Sequence, residues 1–442
     1  MTTGQEDSEQ MKRKPYADID AFEGEVFRRE WDAVRRDPLF LNTIIDYLTR
    51  QKPLSKVIPR RLKQLGLSFM LGRIKTPDQL ERSIARYVRE NIAKTVKGGL
   101  TVSGLENLEE DKGHFFLATH STILPDSMYL KEVIIARHRP IYSIFGDNLG
   151  SGGTLQEKLL RLTRGIKLVR GGSEFSRGKN ALKVRKAVHD KHQRGYSIWC
   201  AQQEGRFKYR HECDIKVLGM LFGEYEPTED NPRKLYDYVN DQATSIRTVQ
   251  TTYEIIPDAI SIARNIVEKQ KDPDWKKPDG ADLLSMRTEI EGYKGHVHIH
   301  ISKAIKGEVY TLGDLKTAID DKNARHHTIY DTAHIADSYF DGHKLKHEMI
   351  KQDTLEAHIS NKRQTEGEYI NPFHEQLLEC PEQYRERFLE LYRSVLRSAD
   401  KALSTGEGKK GLYGIARGLA DGVAGKVRRV VKHLVPRSRY LP

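Results

Sequence analysis

Cysteine is scarce in this chain: there are three in 442 residues, Cys200, Cys213 and Cys380. Their separations fit neither a disulfide framework nor a metal-binding pair, so the fold is not expected to depend on cross-links or a structural zinc. Long apolar runs are missing as well. No stretch approaches the roughly 18 residues that would span a bilayer, and the N-terminus shows no secretory leader. The expectation is a cytoplasmic chain with no integral membrane segment. No Gly-x-Ser-x-Gly occurs, which removes the serine hydrolases built on that elbow. The run from Gly172 to Lys179 imitates a phosphate-cradling loop, but it has one residue too many and Asn180 stands where Ser or Thr would hold magnesium. It reads as a flexible basic loop.

Positive charge, in contrast, is plentiful and unevenly placed. The chain carries a net +12, of which +8 falls in the 34 residues from Lys409 onward. The rest is close to balanced, so a nucleic-acid partner is not expected. The same segment repeats Leu412, Ile415, Leu419, Val423, Val427, Val430 and Leu434 at intervals of three and four, with Arg417, Arg428 and Lys432 on the opposite side. Such a helix suits the interface of an anionic membrane. Glycines 411, 414, 418, 422 and 425 cost about 1 kcal/mol each relative to Ala in a helix interior, so the helix is expected to form on lipid and not in water.

The remaining pattern divides the chain. Residues 1–18 are polar and expected to be disordered. Residues 19–97 are expected to form a helical domain, with Leu39, Leu41, Ile44, Ile45 and Leu48, then Leu62, Leu65, Phe69 and Met70, recurring at helical spacing. Residues 98–310 alternate strand and helix signals, 311–402 return to helical packing, and 403–442 form the basic tail. The fold class expected is α/β, with a mixed and largely parallel sheet flanked by helices.

The chemistry is concentrated in residues 98–310. Phe115-Phe116-Leu117-Ala118 is apolar without alternation, which marks a buried parallel strand. His120-Ser121-Thr122-Ile123-Leu124-Pro125-Asp126 comes directly after it, and Asp126-Ser127 has the chemistry of a helix N-cap. A histidine at the carboxyl end of a strand and an aspartate at the next helix face one crevice, where ligands bind in open α/β sheets. Asp126 can then hold the imidazole in one tautomer and leave the other nitrogen to accept a proton. Further strands, Gly165–Arg170, Gly195–Ala201 and Val249–Glu254, deliver Arg170, the run Glu204-Gly205-Arg206 and Pro257-Asp258.

In order, spacing and residue type these blocks resemble the glycerolipid acyltransferases, which act on glycerol-3-phosphate and lysophosphatidate. One departure stands out: five residues separate His120 from Asp126 where the common form has four. The resemblance implies that His120 and Asp126 are the catalytic pair, that Arg170 and Arg206 hold the acceptor phosphate, and that Glu204 and Gly205 shape the pocket. It implies no cofactor, with acyl-CoA or acyl carrier protein as co-substrate and a glycerol phosphate or lysophosphatidate as acceptor. The protein would work at the inner face of a membrane, held there by its tail. A non-catalytic membrane-surface scaffold that keeps the fold is the alternative. The strand His296–Ile301 carries three histidines on one face, His296, His298 and His300; without cysteine or carboxylate companions a hydrogen-bonded or solvated face is expected before a metal site.

The tail supplies a first test. A version ending at Ser404 should lose association with anionic vesicles that the full chain binds, and full-length binding should weaken as salt rises. Equal co-sedimentation of both would show that the tail is not the anchor.

Overall fold

The structure is a computed structural model that describes residues 14–51, 59–135, 140–150, 152–203, 205–206, 212–357 and 372–404. The basic tail from Lys409 onward lies outside the described residues. The chain falls into two compact units, one holding residues up to 207 with 212–319 and the other holding 320 onward.

The first unit is built on a seven-stranded sheet. Its strands are β1 (Gly99–Ser103), β2 (Phe115–Ala118), β3 (Ile141–Gly146), β4 (Gly165–Leu168), β5 (Ser197–Ala201), β6 (Ile246–Tyr253) and β7 (His296–Ile301). They lie in the order β1-β7-β6-β2-β5-β3-β4. All neighbours are parallel except β6 and β7, which run antiparallel with Val249 opposite Ile301 and Tyr253 opposite Val297. The fold is thus α/β with a mixed, largely parallel sheet.

The N-terminal helices α1 (Gly24–Val34), α2 (Pro38–Gln51), α3 (Arg60–Leu71) and α4 (Pro77–Thr95) belong to this same unit. Phe22, Phe27, Trp31, Val34, Ile74 and Leu80 pack with Leu162, at the end of the helix that precedes β4. The expected disorder up to residue 18 does not extend to residues 14–18: they form turns, Tyr16 is buried in the core, and Arg161 donates to the Ala17 carbonyl. The helical stripe on α3 faces differently from the expectation. Leu67 packs with Leu41 and Ile45 of α2, while Leu62, Leu65, Phe69 and Met70 are exposed.

Helices also connect the strands. Between β2 and β3 runs α5 (Pro125–Ile134), and α6 (Leu155–Leu162) precedes β4. Helix α7 (Glu174–Gln193) leads into β5, and α8 (Ile215–Phe222) and α9 (Lys234–Asn240) lie between β5 and β6. Then α10 (Ala259–Lys271) and α11 (Ala281–Glu291) join β6 to β7, with α12 (Leu312–Arg325) after it. Four apolar residues suffice for β2 because both its faces are covered. Phe115 and Leu117 join a core with Val184, Val188, Leu218, Leu221, Leu235 and Leu315 from the helices on one side. Phe116 and Ala118 point to the other side, and all four residues are buried. Helix α7 takes up most of the run read as a flexible loop. Ser173 caps it, accepting a hydrogen bond from the Ser176 amide at 3.3 Å. The glycines beside this capping Ser dominate the sequence pattern and mask the helix start.

The second unit contains α13 (Asp331–Ser338), a hairpin of β8 (Phe340–Asp341) and β9 (Lys344–Leu345), α14 (Pro372–Glu379) and α15 (Glu382–Ser404). Arg385 is buried there and donates to the carbonyls of Ile350, Leu377, Leu378 and Cys380. Such satisfaction of a buried guanidinium by carbonyl groups marks a packing role. No described helix is long and apolar enough to cross a membrane.

Candidate active site

His120, Asp126, Arg170 and Arg206 come after the carboxyl ends of β2, β4 and β5, at the end of the sheet where β3 and β6 also finish. Alternation past Ala118 brings His120 to the face occupied by Trp199 of β5, and the two rings meet edge-on with centroids 5.7 Å apart. Helix α5 begins at Pro125, so Asp126 lies inside its first turn and not at the cap. Its carboxylate reaches back over the loop and accepts hydrogen bonds from the amides of Ser121 (2.8 Å) and Thr122 (3.0 Å). Thr122 reciprocates, its hydroxyl accepting from the Asp126 amide at 3.0 Å. The extra residue between His120 and Asp126 is absorbed by this tight loop, and His120 Nδ1 stands 3.5 Å from Asp126 Oδ2.

A third donor comes from β6. Tyr253 gives its hydroxyl proton to Asp126 Oδ1 at 2.6 Å, and the Thr122 hydroxyl lies 3.2 Å from the Tyr253 oxygen. Since the phenol proton goes to Asp126, Thr122 is the donor to Tyr253. Burial, and then the nearby Asp126 carboxylate, push the Tyr253 phenol well above its ordinary value, so it remains a donor. Sequence reasoning passed over Tyr253. The signal was present in the β6 alternation that buries Val249, Thr251 and Tyr253 on the side of Ala118. Asp126 is 1% exposed and His120 15% at the side chain, so the carboxylate is sealed while the ring keeps access to solvent. With Nδ1 turned to Asp126, Nε2 is the nitrogen that can take a proton from a bound hydroxyl.

Arg206 comes after β5 but turns inward. Its guanidinium donates to Asp258, to Glu289 Oε1 at 2.9 Å and to the Ser285 hydroxyl at 3.3 Å. It is 9% exposed, and the side chains of Asp258 and Glu289 already occupy its guanidinium. Glu289, on α11 and wholly buried, accepts on its other oxygen from the Ile123 amide at 2.6 Å. Burial, helped by Asp258 and Asp126, pushes the Glu289 carboxyl up to about 8 against the pull of Arg206. Nearby, burial lowers the Lys294 amine to about 7, opposed by Glu289. Lys294 donates to Thr95 and to the carbonyls of Ile290 and Gly292 at the end of α11. Gly205 has φ +77°, a left-handed turn that admits glycine readily and lets the chain double back before Arg206. Glu204 lies outside the described residues.

Arg170 is placed separately, just past β4. Its backbone amide donates to Asp147 Oδ2 at 3.3 Å and its guanidinium donates to Asn148, both residues coming directly after β3. A Cβ on Gly146 would collide with the Arg170 guanidinium, so glycine there clears its path. Arg170 is 33% exposed at the side chain, the more accessible of the two arginines. Strand β4 lies three positions from β2 in the sheet, roughly 14 Å at the usual strand spacing.

The histidine strand β7 forms a ladder with β1. Thr101 bridges His296 (3.0 Å) and His298 (2.8 Å), and Ser103 bridges His298 (2.9 Å) and His300 (2.8 Å). Burial lowers His296, and lowers His298 to about 4, so these two rings are neutral hydrogen-bonding partners at ordinary pH. Among the described residues no group of His, Cys, Asp and Glu is arranged to hold a metal ion.

Comparison with known proteins gives a limited picture. No family profile matches the chain. No curated protein matches its sequence. Among solved structures it is similar to the 1-acyl-sn-glycerophosphate (LPA) acyltransferase PlsC from Thermotoga maritima, at 12% identity and a TM-score of 0.32, over 64% of this chain and 85% of that one.

The carboxyl of Glu289 makes a pH prediction. Raised in the folded state, it binds a proton that the unfolded chain releases between roughly 4.5 and about 8. Its contribution to stability is therefore complete at low pH and is lost as pH rises through that window, at a slope of at most about 1.4 kcal/mol per pH unit. Glu289→Gln should flatten this part of the profile. Denaturant melts of both proteins across pH 4–9 check it, and parallel profiles would show that Glu289 does not titrate there.

Proposed function

We propose that the chain is a glycerolipid-type O-acyltransferase that moves a fatty acyl group from acyl-CoA or acyl carrier protein to a hydroxyl of lysophosphatidate or glycerol-3-phosphate. The observation that carries this reading is the His120–Asp126 pair, a base with its orienting carboxylate at the carboxyl ends of the parallel strands. The order of the later blocks, those of Arg170, Arg206 and Asp258, supplies the substrate class.

The reaction needs no covalent enzyme intermediate. His120 Nε2 removes the acceptor's hydroxyl proton as its oxygen attacks the thioester carbonyl. The carbon–sulfur bond then breaks, and the proton held by His120 passes to the departing thiolate. Asp126 stabilises the imidazolium in between, and Trp199 limits the ring's movement. Arg170 is the phosphate ligand in this reading, because it is partly exposed, whereas Arg206 is buried against two carboxylates. A planar guanidinium can engage phosphate through two parallel hydrogen bonds.

A membrane partner on the cytoplasmic side is part of the proposal. Besides the tail, α3 exposes Leu62, Leu65, Phe69 and Met70 next to Arg60 and Arg61. Apolar side chains flanked by cations suit an anionic lipid surface.

The purified protein should transfer an acyl group when acyl-CoA and acyl carrier protein donors are paired with the two acceptors; no turnover with any pair would refute the assignment. His120→Ala should slow transfer by about 10²- to 10⁴-fold in a folded protein. Arg170→Ala should raise the acceptor KM by an amount worth about 1.5 to 3 kcal/mol and leave the donor KM nearly unchanged. Equal changes for both substrates would make Arg170 structural.

A further inference from the structure

Three consecutive amides between His120 and Asp126 point at carboxylates. Those of Ser121 and Thr122 are taken by Asp126 from within the loop, and that of Ile123 is taken by Glu289 Oε2 at 2.6 Å. Ile123 is the midpoint of the loop, three residues from His120 and three from Asp126. Glu289 reaches it from another helix, 166 residues along the chain. Its second oxygen accepts from Arg206 Nη1, and the same nitrogen donates to Asp258 at the start of α10. The Ser285 hydroxyl, one turn earlier on α11, accepts from Arg206 Nη2. The blocks carrying His120, Arg206 and Asp258 thus converge on one buried carboxylate.

We propose that Glu289 is a positioning residue for the His120–Asp126 pair: it fixes the loop between them through the Ile123 amide, while Arg206 fixes Glu289. A loop with five residues between base and carboxylate needs such an external hold, because Asp126 secures only the half nearest His120. Without Glu289 the Ile123 amide would be left buried without its acceptor, and the loop would rearrange to find one. Arg206 is on this view a brace acting through Glu289, which explains why its guanidinium is sealed from solvent. The catalytic consequence rests on the acyltransferase reading; the structural hold does not.

The test joins an activity readout to one that is independent of activity. In the wild type, hydrogen exchange should be slow at the amides of Ser121, Thr122 and Ile123, and Glu289→Ala should speed it about ten-fold or more while α7 exchanges as before. Glu289→Gln keeps the size and one oxygen acceptor, so it should fold like the wild type and fall between the two. Steady-state kinetics should show Glu289→Ala lowering kcat about 10- to 100-fold with the acceptor KM within two-fold. In a His120→Ala background the same change should add little, because its effect passes through His120. Unchanged exchange in the 120–126 loop for both variants would overturn the proposal. So would an equal loss of kcat with and without His120, or a loss confined to KM. If the wild type transfers no acyl group, the functional assignment fails and the exchange measurement alone decides the role of Glu289.

Discussion

A carboxylate removed from water has to be surrounded by donors, and Asp126 sets that requirement at the carboxyl edge of the sheet. Two loop amides, the Tyr253 hydroxyl and the His120 ring converge on it. They arrive from different parts of the sequence. The amides belong to the connection between β2 and α5, and the phenol projects from β6. Because three sides of the carboxylate are occupied by fixed donors, the remaining approach is that of the imidazole. The orientation of the His120 ring is in this sense a by-product of satisfying a buried carboxyl group.

Next to it stands a second buried group in which two carboxylates face one guanidinium, with an amine close by. Burial raises the Glu289 carboxyl and lowers the Lys294 amine, and so the local charge is far from what the residue names suggest. The two arginines singled out by spacing consequently have different surroundings. Arg206 is absorbed by its neighbours, while Arg170 stays at the surface on Asn148 and Asp147.

Five of the seven strands were legible because they are short and punctuated, whereas β1 and β3 carry no such signal. Phe115–Ala118 was read at its true boundaries, and Gly165 and Ser197 open strands close to where the pattern put them. The places of His120, Asp126, Arg170 and Arg206 just beyond strand ends were legible because each comes after such a strand. Tyr253 and Glu289 were not. Tyr253 is one of 20 tyrosines and looks like core in a strand, and Glu289 sits in a helix whose polar residues give no local hint of burial. Only the close approach of distant segments distinguishes it from its exposed neighbour Glu291. The exposure of Leu62, Leu65, Phe69 and Met70 was hidden for the opposite reason, since a helical stripe has the same spacing whether it faces a core or solvent.

The reversed direction of β7 has a consequence for where functional residues can originate. In a wholly parallel sheet each strand brings to the ligand edge the residues at its own carboxyl end, and the helix before it ends at the far side. Strand β7 runs against β6, so its beginning lies beside the end of β6, with the His296 amide donating to Glu254 at 2.7 Å. The residues just before β7 are therefore carried to the edge where His120 stands. That is how the last turn of α11 delivers Glu289 there, ahead of its strand, and how the inverted pair of β7 and β1 gives this edge a source of side chains that lie before a strand instead of after one.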